Sequence, residues 1–219
     1  MNIFRLVADI LHLVSFGALI HKIKTSKNCL GISYKTQEIY MVVFLTRYWD
    51  LLLYYVSMYN TLMKIFYIGC TAYIIYLIRI KKPYCLSYDP VSDGFPHAKF
   101  LYPAAAILAL IIHPEFSAFE ISWSFSIWLE ALAILPQIDM VRRHKEVENI
   151  TGHYMACLGV YRGFYILNWI YRYFSEGLVT WTSVLGGIVQ TIIYADFLLV
   201  YFKAKQQSLK GSGSIKLPV

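Results

Sequence analysis

The chain has 219 residues, of which 58% are hydrophobic and 15% charged, with a net charge of +7 at neutral pH. An average soluble domain carries roughly 25% charged residues, so this composition excludes an ordinary water-soluble fold and calls for a lipid bilayer. The positive balance sits in short segments flanking apolar runs, where topology and anionic lipid account for it, and a nucleic-acid partner is not implied.

A helix needs about 20 apolar residues to cross the hydrocarbon core, and runs of that kind recur along the chain. The first, Ile3 to Ile20, is interrupted by Arg5 and Asp9 and is followed by no small-residue cleavage site. It does not read as a signal peptide and is expected to stay attached. The second and third run from Thr36 to Met58 and from Leu62 to Ile80. The segment Lys81 to His97 follows, and its Pro, Asp and Gly content predicts a flexible connection. A fourth run, Phe100 to Ile112, is short for a span. The fifth, Phe116 to Met140, is closed by Pro136-Gln137, and the sixth and seventh cover Met155 to Phe174 and Thr182 to Phe202. These must be helices, because the bilayer core satisfies no backbone group and the alternation of a membrane barrel is absent. Cys70 and Cys157 fall in spans and Cys29 and Cys85 in loops, without the paired spacing of a metal site or disulfide framework, so all four read as reduced and no cofactor or metal is implied.

Lysine and arginine accumulate on cytoplasmic loops. Here Lys22, Lys24, Lys27 and Lys35 fall between helices one and two, and Arg79, Lys81, Lys82 and Lys99 between three and four. Arg142, Arg143 and Lys145 lie between five and six, and Lys203, Lys205, Lys210 and Lys216 in the tail. The alternate gaps, at Tyr59-Asn60-Thr61, His113-Pro114-Glu115 and Ser175-Glu176-Gly177, hold no basic residue. The pattern predicts an odd number of spans, a luminal N-terminus and a cytosolic tail. It also places the sequon Asn149-Ile150-Thr151 on the cytoplasmic side, where it should stay unmodified.

The remaining basic residues, Arg5, Arg47, Lys64, Arg162 and Arg172, fall within spans or at luminal helix ends. A buried cation costs several kcal/mol unless paired, so such residues face a polar cavity by default. Asp9, Asp50, Glu120, Glu130 and Asp196 are the available anions. On helix one, Arg5, Asp9 and His12 form one stripe; on helix five, Glu120, Trp123, Ile127 and Glu130 do so; on helix six, Tyr161, Tyr165, Asn168 and Arg172. Three such faces imply one shared cavity opening at the luminal end, and several arginines suit a ligand with several carboxylates. The structural alternative is that intramembrane ion pairs only fix helix packing. Lys64 reads as an amine snorkelling from a helix start. Trp123, Trp128 and Trp169 fit core or interfacial roles equally well.

A basic stretch followed by Gly31-Ile32-Ser33 precedes helix two, and a basic stretch followed by Asn149-Ile150-Thr151 precedes helix six. This parallel suggests two three-helix units, helices 1–3 and 5–7, joined by helix 4, the parallel-repeat arrangement of SWEET-type transporters. With Pro136-Gln137 it resembles the PQ-loop superfamily. More specific are Met1-Asn2-Ile3-Phe4-Arg5-Leu6, Thr46-Arg47-Tyr48-Trp49-Asp50-Leu51, Tyr59-Asn60-Thr61-Leu62-Met63-Lys64 and Leu129-Glu130-Ala131-Leu132-Ala133-Ile134-Leu135-Pro136-Gln137. Tyr161-Arg162-Gly163-Phe164-Tyr165, Asn168-Trp169-Ile170-Tyr171-Arg172 and Gln190-Thr191-Ile192-Ile193-Tyr194-Ala195-Asp196-Phe197 complete the set. Together they resemble the KDEL receptor family over essentially the whole chain, except the segment Lys81 to His97 and the tail after Lys205.

The expectation is an all-α integral membrane protein with seven transmembrane helices: residues 1–80 a first three-helix bundle, 81–114 a cytoplasmic loop and linker helix, 115–203 a second bundle and 204–219 a cytoplasmic tail. The resemblance implies a receptor, not an enzyme, in endoplasmic reticulum and cis-Golgi membranes, which binds C-terminal Lys-Asp-Glu-Leu or His-Asp-Glu-Leu tetrapeptides. By that likeness Arg47 and Tyr48 hold the terminal carboxylate, Arg5 the ligand glutamate and Arg172 its aspartate. Glu120, with Trp123, Trp169 and Asp50, meets the basic first residue, and Tyr165 and Asn168 complete the binding face. His12, with an unperturbed pKa of about 6.5, forms a pH switch with Glu130 and Tyr161. Asp196, Lys203 and Lys205 serve trafficking through the retrograde coat, although Gly211-Ser212-Gly213-Ser214 departs from the family tail. The competing reading is a PQ-loop secondary transporter of a small anionic solute. No nucleophile elbow or metal-ligand cluster supports a membrane enzyme, and the intramembrane charges weigh against an inert scaffold.

Overall fold

The computed structural model describes the backbone of residues 2–144, 146–147, 149–177, 179–208 and 215–216, and side chains within 2–143, 154–177 and 179–199. It is helical: α1 (Ile3–Ser26), α2 (Tyr34–Arg47), α3 (Met58–Arg79), α4 (His97–Ile111), α5 (Ala118–Leu132), α6 (Leu135–His144), α7 (Asn149–Glu176) and α8 (Trp181–Ser208). Short 3-10 turns lie at Trp49–Leu52 and Tyr84–Ser87, and the segments Glu146–Val147 and Ile215–Lys216 pair as a two-residue antiparallel ladder. By length and apolarity Ile3–Ser26, Met58–Arg79, Ala118–Arg143 and Trp181–Leu199 can each cross a membrane, and His97–Ile111 is a shorter apolar helix. The protein is a helical membrane protein.

The helix starts are written in short polar side chains. Asn2, Ser33, Ser57 and Ser117 each accept a hydrogen bond from the backbone N–H three residues on, supplying partners to otherwise orphaned first-turn donors. α1 ends at Lys27, whose left-handed conformation (φ 54°) turns the chain.

Two expected spans are broken. The second stops at Arg47, so α2 has only 14 residues and a length of about 21 Å against a core of about 30 Å. A 3-10 turn and an extended stretch then lead to the Ser57 cap. The break leaves Arg47, Tyr48 and Asp50 at a helix end instead of buried along a continuous rod. The fifth run divides into α5 and α6 around Ala133-Ile134. Pro136 has no N–H to offer the carbonyl of Leu132, so the hydrogen-bond ladder fails there. Proline therefore opens α6, at its second residue, and Pro136-Gln137 does not close the span as the sequence pattern had it.

Packing is reciprocal between the two halves of the chain. α1 lies against α7 and α2 against α5, while α3 contacts α1 and α2 as α8 contacts α5 and α7. The core between them is formed by fully buried residues such as Leu19, Ile39, Phe44, Leu129 and Tyr194.

The segment Lys81 to His97, expected to be a flexible connection, is tied down at the end of the molecule that carries the basic loops. Asp93 is 1% exposed. Its carboxylate accepts hydrogen bonds from Ser33 Oγ (2.8 Å), the Lys35 N–H (3.1 Å) and Tyr88 Oη (2.9 Å). Ser87 Oγ accepts from the Cys29 N–H (2.7 Å), and Lys35 Nζ donates to the Phe95 carbonyl (3.0 Å). From the other half, Gln137 on α6 accepts the Ser33 N–H (2.9 Å) and donates to the Gly31 carbonyl (2.8 Å). The composition of the segment signalled a loop, and these long-range partners hold it. Burial beside the Asp93 carboxylate pushes the Tyr88 phenol up from its ordinary value. Burial pushes the Cys29 thiol up to about 11. All four cysteines are free.

Candidate functional site

At the end opposite the basic loops, a cavity of about 510 Å³ opens between α1, α2, α3, α5, α7 and α8. That volume lies in the range of about 300–1,000 Å³ usual for ligand sites. Five cations line it, Arg5, Arg47, Lys64, Arg162 and Arg172, against the three carboxylates Asp9, Glu130 and Glu176.

The floor is an ion cluster. Glu130, 2% exposed, pairs with Arg47 Nη1 at 2.6 Å and Arg162 Nη2 at 2.5 Å, and accepts from Tyr161 Oη at 2.8 Å. Arg47 also donates through Nε to Ser126 Oγ and through Nη2 to the Ser126 carbonyl, both at 3.1 Å. The carboxylate is thus compensated twice, which is what a buried charge requires. His12 stacks on Tyr161 with ring centroids 4.4 Å apart and planes 7° from parallel and on Phe16 at 5.1 Å, while the Tyr67 ring lies tilted against it at 4.8 Å. The imidazole therefore meets the Tyr161–Glu130 hydrogen bond through a ring face.

The wall is built by α1, α3 and α7. Asp9 accepts from Tyr59 Oη at 2.7 Å and Tyr165 Oη at 2.5 Å, joining the three helices, and lies 4.0 Å from Arg5 Nε. Asn2 donates to Asn168 at 2.7 Å across the mouth. Nearer solvent, Arg172 Nε pairs with Glu176 at 2.8 Å. Trp123 and Trp169 supply aromatic lining. Trp169 fits because α8 carries a glycine against it: a Cβ on Gly187 would lie 2.3 Å from its ring.

The structure thus gathers most of the residues singled out from the sequence. Arg5, His12, Arg47, Tyr48, Trp123, Glu130, Tyr161, Tyr165, Asn168, Trp169 and Arg172 all line the cavity. Two do not. Asp50 pairs with Lys64 at 2.6 Å, and Glu120 heads α5 on its N-cap turn, outside the lining. Lys64 does not snorkel: it is 7% exposed and forms part of the cavity wall. Sequence spacing missed Tyr59 and Asn60, because they sit at a helix start whose rotational setting no periodic stripe reveals, and Glu176, whose i, i+4 relation to Arg172 was the available signal. Asp196 lies far from this site, on α8, paired with Arg142 at 2.6 Å, both exposed. The side chains of Lys203 and Lys205 lie outside the described residues, as does that of Asn149.

Comparison with known proteins identifies the family. The family model described as ER lumen protein retaining receptor matches residues 28–172. An ER lumen protein-retaining receptor of Plasmodium falciparum is 51% identical over 210 residues, 94% of each chain. One from Petunia hybrida is 46% identical over 219 residues, all of both chains. ER lumen protein-retaining receptor 2 of Danio rerio is 46% identical over 213 residues, covering 95% of this chain and 99% of its own. Over its whole length the chain belongs to the ER lumen protein retaining receptor family, a family of receptors and not of enzymes.

Proposed function

We propose that this protein captures soluble endoplasmic-reticulum proteins by a C-terminal Lys-Asp-Glu-Leu or His-Asp-Glu-Leu sequence in the acidic Golgi and returns them by retrograde vesicles. The observation that carries this reading is the cavity's charge: five cations against three carboxylates. A tetrapeptide of this type brings an aspartate, a glutamate and a terminal carboxylate against one basic side chain, so the excess charges are complementary. Guanidinium grips carboxylate with two parallel hydrogen bonds. Arg47 and Tyr48 take the terminal carboxylate, Arg5 the glutamate and Arg172 the aspartate. The basic first residue rests between Trp123 and Trp169, with Glu120 and Asp50 as the anions of that region, and Tyr165 and Asn168 hydrogen-bond the peptide.

The same reading orients the molecule with seven spans, the N-terminus and cavity in the lumen, and the tail in the cytosol, across endoplasmic reticulum and cis-Golgi membranes. The reciprocal packing of the two halves supports residues 1–80 and 115–203 as repeated bundles joined through 81–114; 204–219 is the cytoplasmic tail, and Lys203 at the end of the second bundle and Lys205 in the tail serve the coat. Asp196 serves transport from its place on α8. Protonation of His12 at the cavity floor adds positive charge beside Tyr161 and Glu130 and favours the anionic ligand. Affinity is therefore present at acid pH and lost as pH rises.

The test is binding of a labelled peptide ending in Lys-Asp-Glu-Leu to purified receptor at acidic and neutral pH, with the C-terminally amidated peptide as control. Acid-favoured binding that amidation abolishes is expected, and His12→Ala should flatten the pH profile. Folded receptor that binds at neither pH would reject the function.

A further inference from the structure

Among the carboxylates that line the cavity, each is already engaged. Asp9 holds two phenols, Glu130 two guanidinium groups and Glu176 the Arg172 side chain. A ligand whose first residue is basic therefore meets no uncommitted anion on the described walls. Off the walls, Glu120 heads α5, and the anion held by one of the cavity's own cations is Asp50. It sits in the 3-10 turn that directly follows Arg47 and Tyr48, and one of its oxygens, Oδ1, is buried without a hydrogen-bond partner. Its other oxygen is held by Lys64 at 2.6 Å, with the two side chains 14% and 9% exposed. Lys64 lines the cavity and Asp50 does not, and the ammonium also stands over the Tyr48 ring at 5.7 Å.

Lysine is a compact point charge on a flexible stem, so its ammonium can leave one carboxylate with little rearrangement of the backbone. Asp50 is thus an anion whose availability to the cavity is controlled by a neighbouring cation.

We infer that Lys64 is a specificity-determining residue, which competes with the cationic first residue of the ligand for Asp50 and so weakens the receptor's demand for a basic side chain there. The inference rests on the tetrapeptide reading above and refines it. With Lys64 in place, recognition leans on the acidic residues and terminal carboxylate; with Lys64 removed, Asp50 becomes an open anion and the first residue is read more strictly.

The experiment compares peptides ending in Lys-Asp-Glu-Leu and Ala-Asp-Glu-Leu at acid pH, on full-length purified receptor, as the ratio of their dissociation constants. K64M is expected to weaken binding of both peptides, because a cation is lost, and to raise the preference for the Lys-first peptide by about tenfold, the order set by one partly screened charge contact. K64Q should do the same and serves if K64M does not fold. D50N/K64M, which removes both charges and leaves no unpaired ion, should return the ratio to the wild-type value. A ratio that stays at the wild-type value in folded K64M or K64Q overturns the inference, as does a raised ratio that persists in the double variant. Wild-type receptor that binds neither peptide, or binds the amidated ones equally, would instead reject the tetrapeptide function itself.

Discussion

At the scale of single residues, the decisive group is Glu130. It is a carboxylate 2% exposed, and a lone ionised group there would be expelled or neutralised. Arg47 and Arg162 hold it from opposite halves of the chain, α2 and α7. The two guanidinium groups are not equivalent, because Arg162 is the more buried and Arg47 is the one assigned to ligand. Arg162→Leu removes one compensating charge from a buried carboxylate and should destabilise the receptor by about 3 kcal/mol, measured as a loss of thermal stability in detergent without ligand. A melting temperature equal to wild type would mean that Arg47 alone satisfies the carboxylate. The stripes on α1 and α7 were legible because charge spaced by three or four residues in an apolar helix has few explanations. The partners were not: nothing in the spacing tells Asp50 from Glu120, or shows that Lys64 turns inward to Asp50.

At the scale of elements, the breaks matter more than the helices. Proline marks the division between α5 and α6, and the sequence contains that signal. The end of α2 at Arg47 has no Pro or Gly to announce it; Asp50 held by Lys64 and the Ser57 cap fix it through contacts made only in the fold. The segment from Lys81 to His97 is the same case. Its composition reads as loop, yet Asp93 receives two hydrogen bonds from the start of α2 and a third from Tyr88 within the segment. Cys29 reports on this junction, since its N–H is bound to Ser87 and its thiol is raised to about 11 by burial. A raised thiol carries little reactive thiolate at neutral pH, and that fraction grows only as pH climbs toward the raised value. Asp93→Ala should leave buried donors unpaired, at about 1–3 kcal/mol, and loosen the junction. In a receptor with Cys70, Cys85 and Cys157 replaced, maleimide labelling of Cys29 at neutral pH should then be several-fold faster than with Asp93 intact. Equal rates would show that the junction does not depend on Asp93.

At the scale of the whole molecule, cavity and basic loops occupy opposite ends, and that separation links charge, orientation and function. α7 carries the connection in one element: Asn149 begins it and Glu176 ends it, and its 28 residues extend about 42 Å along the axis. Arg172 and Glu176 line the cavity mouth. If that mouth opens to the lumen, the sequon at Asn149 must lie a full membrane thickness away, on the cytosolic side, where no glycan is added. Expression in cells with active N-glycosylation should give a receptor whose mobility does not change on deglycosylation. A sequon placed in a short extension ahead of Met1, on the cavity side by the same geometry, should acquire glycan. Modification at Asn149 with none on the extension would invert the molecule, turn the arginine cavity to the cytosol and remove its access to luminal ligands.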